Sequence, residues 1–342
     1  MPRVSLIILS WNGLDLLKQC FASVVATDYP NLEIIYADNA STDGSPEWVA
    51  EHFPSVRIIR HAENHLFCKG NNEAILQATG QYLVLVNNDI ETPPGWLTAL
   101  VGRAEADSTI GALQPKVLQY YQRDHFGYGG AAGGFQDRLG YSFARGHILQ
   151  TMERDSGQYD DACELDYAGG CALFLRRTAL NEVGLLDERF EMHMEEIDLC
   201  WRLRRQGFRI VYEPRSHVYH VRGDTRFNYA HWRLYFNIRN SLWMLYKNLP
   251  ARRFPVVLTQ KAAIEGALAA SLLVRGRWKG AASILRGYRD AYRNRRAFRS
   301  ERPRRHTPNA YRGSILWDYF IRRRRTYAEL PRQRLRLTEA VR

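Results

Sequence analysis

Four polar clusters in the first 225 residues hold the side chains best suited to chemistry. The run Asp38-Asn39-Ala40-Ser41-Thr42-Asp43-Gly44 follows an apolar stretch. A carboxylate there can accept from a base N–H or a ribose hydroxyl, or close a local Asx turn. Asn87-Asn88-Asp89 ends a second apolar stretch. Hard cations such as Mg²⁺ or Mn²⁺ take one or two carboxylates plus substrate phosphates, and a plain strand-end turn is the alternative. Glu195-Glu196-Ile197-Asp198 puts three carboxylates in four residues. Their repulsion raises the protonated fraction, which suits a general base, although a helix dipole also favours a solvated acidic first turn. His217-Val218-Tyr219-His220 alternates, so Val218 and His220 share one strand face and His217 and Tyr219 the other. A histidine there is either a metal ligand or structural.

The elements that must position these clusters follow from hydrophobic period. Residues 4–9, 33–38, 56–59 and 82–86 are short apolar or β-branched runs and predict strands. Residues 14–25 and 70–79 carry helical spacing between them. Ser45 predicts a helix cap, with Pro46 at the first helical position. Alternating strands and helices predict an α/β fold with a mostly parallel sheet covered on both faces, and ligands in such sheets bind beyond the carboxyl ends of the strands. Asp38 and Asp89 stand at those ends. Residues 119–165, rich in Gly and Tyr, predict a long irregular segment. Helical order returns over 187–208, especially 195–205, and dominates after Tyr229.

The chain has 342 residues and 45% hydrophobic content, enough for a sizeable core. Its charge is uneven. Residues 251–342 hold 24 Lys+Arg against 6 Asp+Glu, whereas residues 1–250 hold 24 against 30. A basic tail on a mildly acidic body points to an anionic partner, a membrane surface or nucleic acid. The five cysteines form no CxxC pair, which argues against a disulfide framework or a zinc ribbon and for a reducing compartment. No signal peptide is expected, because the run Val4 to Leu9 is too short. Nor is a membrane span: residues 254–274 contain Lys261 and Glu265, and the uncharged piece 266–274 is shorter than the ~20 residues a span needs.

Taken in order, the clusters resemble the family 2 glycosyltransferases, over roughly residues 3–248. Val4 to Asn12 looks like the family's opening strand, and Asp38 to Ser45 is close to its DNxSxDGS run. Asn64 with Lys69-Gly70-Asn71-Asn72 resembles NxGFxxGxN, and Val86 to Asp89 stands at the DxD position. Ala168-Gly169-Gly170-Cys171 looks like the small-residue segment under the acceptor site. Met194 to Arg202 resembles the ED(V/I)DLCxR helix. Tyr212-Glu213-Pro214 and His220 to Thr225 resemble the closing strand and its metal-binding histidine.

The resemblance implies a GT-A fold, Rossmann-like, as a catalytic domain over residues 1–248, followed by a basic helical extension over 249–342. It implies an inverting transferase that uses a nucleotide-sugar donor and Mg²⁺ or Mn²⁺. Asp38 would hold the base or ribose, with Ser10, Asn12, Asn64, Asn72 and Asn88 also on the donor side. Asp89 and His220, with Asn87, would hold the cation. Glu196 stands where the family has its Asp base, and Glu195 precedes it in the same pair. Gly169, Gly170 and Asp198 would line the acceptor side. Two departures matter. Asn87 replaces the first acid of DxD, and Glu196 replaces Asp, which leaves the base open between Glu195 and Glu196.

Within the family the pattern is most like bacterial rhamnosyltransferase-type members, which use dTDP-rhamnose in building cell-surface polysaccharides. UDP-hexose donors, and a sugar-binding relative without activity, are the alternatives. The implied acceptor is a saccharide or a polyprenyl-linked saccharide. The implied location is cytoplasmic, at the inner membrane face.

Residues 254–298 predict two helices joined near 276–280. Val257, Ile264, Leu268, Leu272 and Leu273 form an apolar stripe, with Arg275, Arg277, Lys279, Arg286 and Arg289 beside it. Such a helix can lie among anionic headgroups, or pack its stripe on the catalytic domain. Nucleic-acid binding through the Arg-rich segments with Tyr288, Tyr292 and Phe298 does not account for the ordered clusters before residue 225. Arg322 to Arg325 and the chain end are expected to be disordered.

Overall fold

The computed structural model describes residues 1–221, 230–305 and 307–335. The elements run β1 (Val4–Ser10), α1 (Leu14–Val25), β2 (Leu32–Asp38), α2 (Ser45–His52), β3 (Arg57–Arg60), α3 (Leu66–Gln77), β4 (Tyr82–Asn87), β5 (Ile90–Glu91), α4 (Trp96–Ala106) and β6 (Ile110–Gln119). After a second group of short strands, β7 (Gly134–Gln136), β8 (Ser142–Ala144), β9 (His147–Ile148) and β10 (Thr151–Met152), the chain re-enters the main sheet as β11 (Cys163–Glu164) and β12 (Ala172–Arg176). It continues through α5 (Arg177–Val183), α6 (Glu195–Arg205), β13 (Arg209–His220), α7 (Ala230–Asn248), α8 (Phe254–Val274) and α9 (Trp278–Asn294).

The main sheet has the order β11-β13-β6-β12-β4-β1-β2-β3, with β5 pairing with β13. β1 is buried almost throughout, as its unbroken apolar sequence requires. It runs parallel to both β2 and β4, with Ser10 opposite Asp38 and Leu9 opposite Asn87. That register brings the ends of three strands to one edge. β12 enters antiparallel between β4 and β6, so the sheet is mixed on this side. β13 runs parallel to β6, and its far end pairs with β5, His220 against Ile90. The short β5 therefore carries the preceding Asp89 to His220, which lies 131 positions further along the chain.

Several local expectations change. Gly44, in the left-handed region at φ 83°, caps α2, and Ser45 is already helical. The Ser45 hydroxyl donates instead to Asp43 Oδ1. α3 starts at Leu66, four residues before the expected Gly70. Its first amides find partners outside the helix: Leu66 N–H donates to Asn64 Oδ1, and Phe67 and Cys68 N–H donate to the Glu191 carbonyl. A helix start satisfied by a residue more than 120 positions away leaves no local sequence mark. The segment 119–165 is not irregular throughout, because it builds a second, antiparallel sheet in the order β10-β9-β8-β7. Gly146, at φ 87°, turns the chain between β8 and β9, and a Cβ there would strike the Phe126 ring.

The hydrophobic core is continuous across the expected boundary at 248/249. Phe298, Tyr311, Ile315, Tyr319 and Leu330 are buried in one cluster with Phe126, Phe190 and Trp243. The returning chain is fastened by buried carboxylates: Asp166 accepts from Ala310 N–H and Asp137 from Ile315 N–H. Arg322 to Arg325 are ordered rather than disordered, with Arg324 paired to Asp318 at 2.8 Å and Arg325 lying over the Tyr319 ring. The chain end, 336–342, lies outside the described residues.

α8 is a single helix of 21 residues, long and apolar enough by length and composition to cross a membrane. Lys261 and Glu265 do not interrupt its outer face. Both are buried and paired with each other at 2.8 Å, and Tyr141 and Tyr288 donate to the Glu265 carboxylate. All five cysteines are free thiols.

Candidate active site

The strand order reverses between β1 and β4, and this is where open α/β sheets leave a crevice. The Asn88 amide donates to Ser10 Oγ at 2.8 Å across that gap. Gly13 is required behind them, since a Cβ there would collide with Asn88 Nδ2 and Ser10 Oγ. Asn12, in the left-handed region at φ 48°, ties the β1 end to the next turn: its N–H donates to Ser41 Oγ and its Oδ1 accepts from Thr42 N–H. Asp38 is buried at the end of β2 and accepts from Ser41 N–H and the Tyr36 hydroxyl. This is the Asx-turn geometry, yet a carboxylate offers about four lone-pair sites, so two local bonds do not exhaust it. Asp43 accepts from Leu14 N–H and so supplies the first turn of α1 with an acceptor.

Asp89 and His220 come together as a buried pair, each 4% exposed, with Nε2 of the ring 3.2 Å from Oδ2. His220 Nδ1 lies 2.7 Å from the Tyr128 carbonyl oxygen. A carbonyl can only accept, so Nδ1 carries the hydrogen and Nε2 faces Asp89. An imidazole oriented by a backbone carbonyl and set against a carboxylate is a common metal-ligand arrangement. Asn87 is half-buried beside them, and its N–H donates to the Cys171 carbonyl, which docks β12 against the strand end. Arg222 to Thr225, the rest of that motif, lie outside the described residues.

The second carboxylate pair opens α6. Glu195 is buried and Glu196 half-buried, and Oε2 of each has no hydrogen-bond partner among the described residues. Burial raises the Glu196 pKa to about 7. Burial, then the charge of Glu196, holds Glu195 well above the usual carboxylate range. Gly170 borders Glu196: a Cβ there would sit 3.8 Å from Glu196 Cγ and from Phe67. Gly169 is buried, and its own Cβ would run into the Gly129 carbonyl. Cys171 links the two pairs. Its thiol is raised by burial and then by the charges of Asp89 and Glu196.

The loop before α6 is strained. Glu191, His193 and Met194 all have φ between 66° and 71°, a region costly for residues with a Cβ. α7 holds it in place. The Asn240 amide nitrogen lies 2.8 Å from the carbonyl oxygens of Phe190, Met192 and His193, and Arg239 pairs with Glu191. Asn240→Ala would strip the Met192 and His193 carbonyls of this donor, whereas the Phe190 carbonyl keeps Arg239. A loss of about 1–3 kcal/mol in stability is expected, with a fall of at least about tenfold in rate as the carboxylates move. Thermal denaturation and initial rates check it, and an unchanged rate would show that the loop holds its shape without Asn240.

Two residues expected to face substrate are corrected. Asn72 is buried with its amide spent: Nδ2 donates to the Leu186 carbonyl and Oδ1 accepts from Leu186 N–H, which joins α3 to the chain before α6. Asp198 is fully buried and accepts from Arg202, Lys247 and Asn248 at 2.7–2.8 Å. Burial works against its ionisation, but Arg202 and Lys247 outweigh this and lower its pKa. It fastens α6 to α7 and does not open on an acceptor. Asn64 caps α3, as above. Asn240, Lys247 and Asn248 were missed. For two of them a signal was available: Asn240 and Asn248 flank Met244 at i, i+4 and i+8, so they share one helical stripe with an apolar residue.

A strand-end crevice, a carboxylate–imidazole pair and a buried carboxylate pair thus gather at one end of the sheet. Among solved structures, the chain is similar to the mannosyltransferase PcManGT from Pyrobaculum calidifontis, in complex with GDP-Man and Mn²⁺ (TM-score 0.52, 19% identity, 88% of this chain and 84% of that one). It is also similar to GalNAc-T7 with UDP, GalNAc and Mn²⁺ (TM-score 0.53, 16% identity, 72% of this chain and 48% of that one). The sequence profile of Glycosyl transferase family 2 matches residues 5–184, and the chain belongs to that family.

Its relatives include the N-acetylglucosaminyl-diphospho-decaprenol L-rhamnosyltransferase of Mycobacterium tuberculosis, 29% identical over 228 residues, 60% of this chain and 71% of that protein. The O-antigen biosynthesis protein RfbC of Myxococcus xanthus is 29% identical over 239 residues, 66% of this chain. An uncharacterised protein of Sinorhizobium fredii is 30% identical over 238 residues, also 66% of this chain. The chain spans only 18% and 25% of the length of these last two.

Proposed function

We propose that the chain transfers rhamnose from dTDP-rhamnose, with inversion, to a lipid-linked saccharide in cell-surface polysaccharide synthesis. The observation that carries the chemistry is the pairing of Asp89–His220 with Glu195–Glu196 around Cys171. Glu196 is the base. It is the more exposed of its pair and borders Gly170, whose missing side chain leaves room for an acceptor. It takes the proton of the acceptor hydroxyl as that oxygen attacks the anomeric carbon, and the bond to the nucleotide diphosphate breaks on the opposite face. Glu195 lies beside it, its pKa held above the usual carboxylate range by burial and by the charge of Glu196. Asp89 and His220, with Asn87, would hold Mg²⁺ or Mn²⁺, which when bound neutralises the leaving diphosphate. Ser10, Asn12 and Asp38 line the donor end of the crevice, and Asn88 closes it.

The mycobacterial relative favours rhamnose, and UDP-hexoses are the competing donors. With Mn²⁺ present, dTDP-rhamnose is expected to raise the unfolding temperature more than UDP-glucose or UDP-galactose and to give product of inverted configuration. A larger shift and turnover with a UDP-hexose would overturn the donor assignment, and a retained configuration would overturn the mechanism.

The C-terminal helices set this site at an anionic membrane face. Val256, Leu268, Leu273 and Val274 of α8 and Trp278 and Leu285 of α9 are exposed, and Arg275, Arg277 and Lys279 are exposed among them. Trp317, Phe320 and Ile321 add exposed apolar side chains ahead of Arg322. Apolar wedges beside basic side chains suit an anionic interface. A nucleic acid is less well served, because Phe298 is buried and Tyr288 is bonded to Glu265. The protein is expected to float with phosphatidylglycerol vesicles and not with phosphatidylcholine vesicles or DNA at the same salt. The double change Leu273→Glu and Val274→Glu should release it, and undiminished flotation would exclude this face.

A further inference from the structure

Beyond the crevice, a second cluster of ligating side chains stands at the carboxyl end of β3. His61, His65 and Glu73 each offer a ligand atom, and these atoms lie within 4.8 Å of one another. Glu73 Oε2 is 2.9 Å from His65 Nδ1 and 3.5 Å from His61 Nε2. Ligands about 2.0–2.1 Å from a tetrahedral zinc lie about 3.4 Å apart, so the His61–Glu73 separation already fits, and the His65–Glu73 contact, here a hydrogen bond, has to open by about 0.5 Å.

The hydrogen bonds of Asn39 decide the His61 tautomer. Asn39 Nδ2 donates to the Leu66 carbonyl, which leaves Oδ1 as an acceptor, and Oδ1 receives His65 N–H and His61 Nδ1. His61 Nδ1 therefore carries a hydrogen. Its Nε2 then presents a lone pair, buried and with no hydrogen-bond partner among the described residues, toward the Glu73 carboxylate. A lone pair aimed at an anion calls for a cation between them.

We propose that His61, His65 and Glu73 form a second metal site, for a late first-row dication such as Zn²⁺, separate from the Asp89–His220 pair. Two imidazoles and one carboxylate are an N/O set that suits Zn²⁺ better than Mg²⁺. Glu63 Oε1, 3.5 Å from His65 Nε2, is placed to accept the N–H of that ring once Nδ1 holds metal, as carboxylates commonly do behind ligating histidines. Lys69 Nζ lies 3.1 Å from the same Nε2 and must turn away, which its half-exposed side chain allows through its contact with Glu73. The site clasps the end of β3 to α3. His61 N–H also donates to the Asp38 carbonyl, so the clasp stiffens the turn at the donor end.

The test uses the full chain carrying Asp89→Ala, so that the first site does not contribute. After chelator treatment and dialysis against Zn²⁺, this protein is expected to retain one Zn²⁺ per chain by elemental analysis. Co²⁺ should give the absorption of a four-coordinate site, and Zn²⁺ should raise the unfolding temperature. Adding Glu73→Gln or His65→Gln should weaken Zn²⁺ binding at least tenfold and remove that rise. No retained Zn²⁺ in the Asp89→Ala protein, or equal retention after Glu73→Gln, overturns the site.

Discussion

Glu196→Gln is expected to lower transfer by about a thousandfold while nucleotide binding stays within about twofold. Gln keeps the size and packing of Glu196 against Gly170 and Phe67, so the fold and the donor crevice should persist. What it cannot do is accept a proton. The pH profile distinguishes this from a structural fault. Burial raises the Glu196 pKa to about 7, and a base works only when ionised. Wild-type kcat/KM should therefore climb with pH through about 7 and fall about tenfold for each unit below it. In Glu196→Gln the residual rate should lose that limb. Glu195→Gln is the control: it should keep the limb and a measurable rate. Full turnover by Glu196→Gln with a verified acceptor, or loss of the limb only in Glu195→Gln, would transfer the role to Glu195.

Asp89→Asn is expected to cost at least about a hundredfold in transfer, on the order of 3 kcal/mol of transition-state stabilisation, with little change in fold. Asn is nearly isosteric, and the β5–β13 pairing that carries residue 89 uses backbone atoms, including Val221 N–H to the Asp89 carbonyl. The lost quantity is charge. Asn87 is already neutral, so Asp89 is the sole carboxylate of the Asn87-Asn88-Asp89 run. Donor binding titrated with and without Mn²⁺ separates the effects: Mn²⁺ should tighten binding to the wild type and leave the variant unchanged. An equal Mn²⁺ response in both would remove Asp89 from the cation site. His220→Ala should weaken the Mn²⁺ response in the same direction, since its Nε2 faces Asp89.

Much of the first half was legible because its information is local. β1, β2 and β4 are apolar runs ended by polar residues, and a strand buried on both faces can be made of little else. Their parallel pairing then places Ser10, Asp38 and Asn87 at one edge. The α6 acids were legible as a cluster. Which of them meets solvent was not, since Lys247 and Asn248 of α7, which bury Asp198 with Arg202, come from a distant part of the chain. Asn72 and Asn64 look alike in sequence, yet one joins α3 to Leu186 and the other caps the helix.

The sequence by itself determined the α/β class, the strand ends that carry polar residues, and the ordered motifs that mark a family 2 glycosyltransferase. The first two depend on period and composition along the chain, and the third on the resemblance of its motifs to that family. Only the tertiary structure decided that β5 brings Asp89 to His220, that Asn240 holds a strained loop under Glu195 and Glu196, and that the tail shares the catalytic core. It also decided that Lys261 and Glu265 turn inward on α8, leaving an apolar face outside. Each of these depends on a partner dozens to hundreds of residues away, and burial, hydrogen-bond satisfaction and pKa are properties of the neighbours that folding supplies.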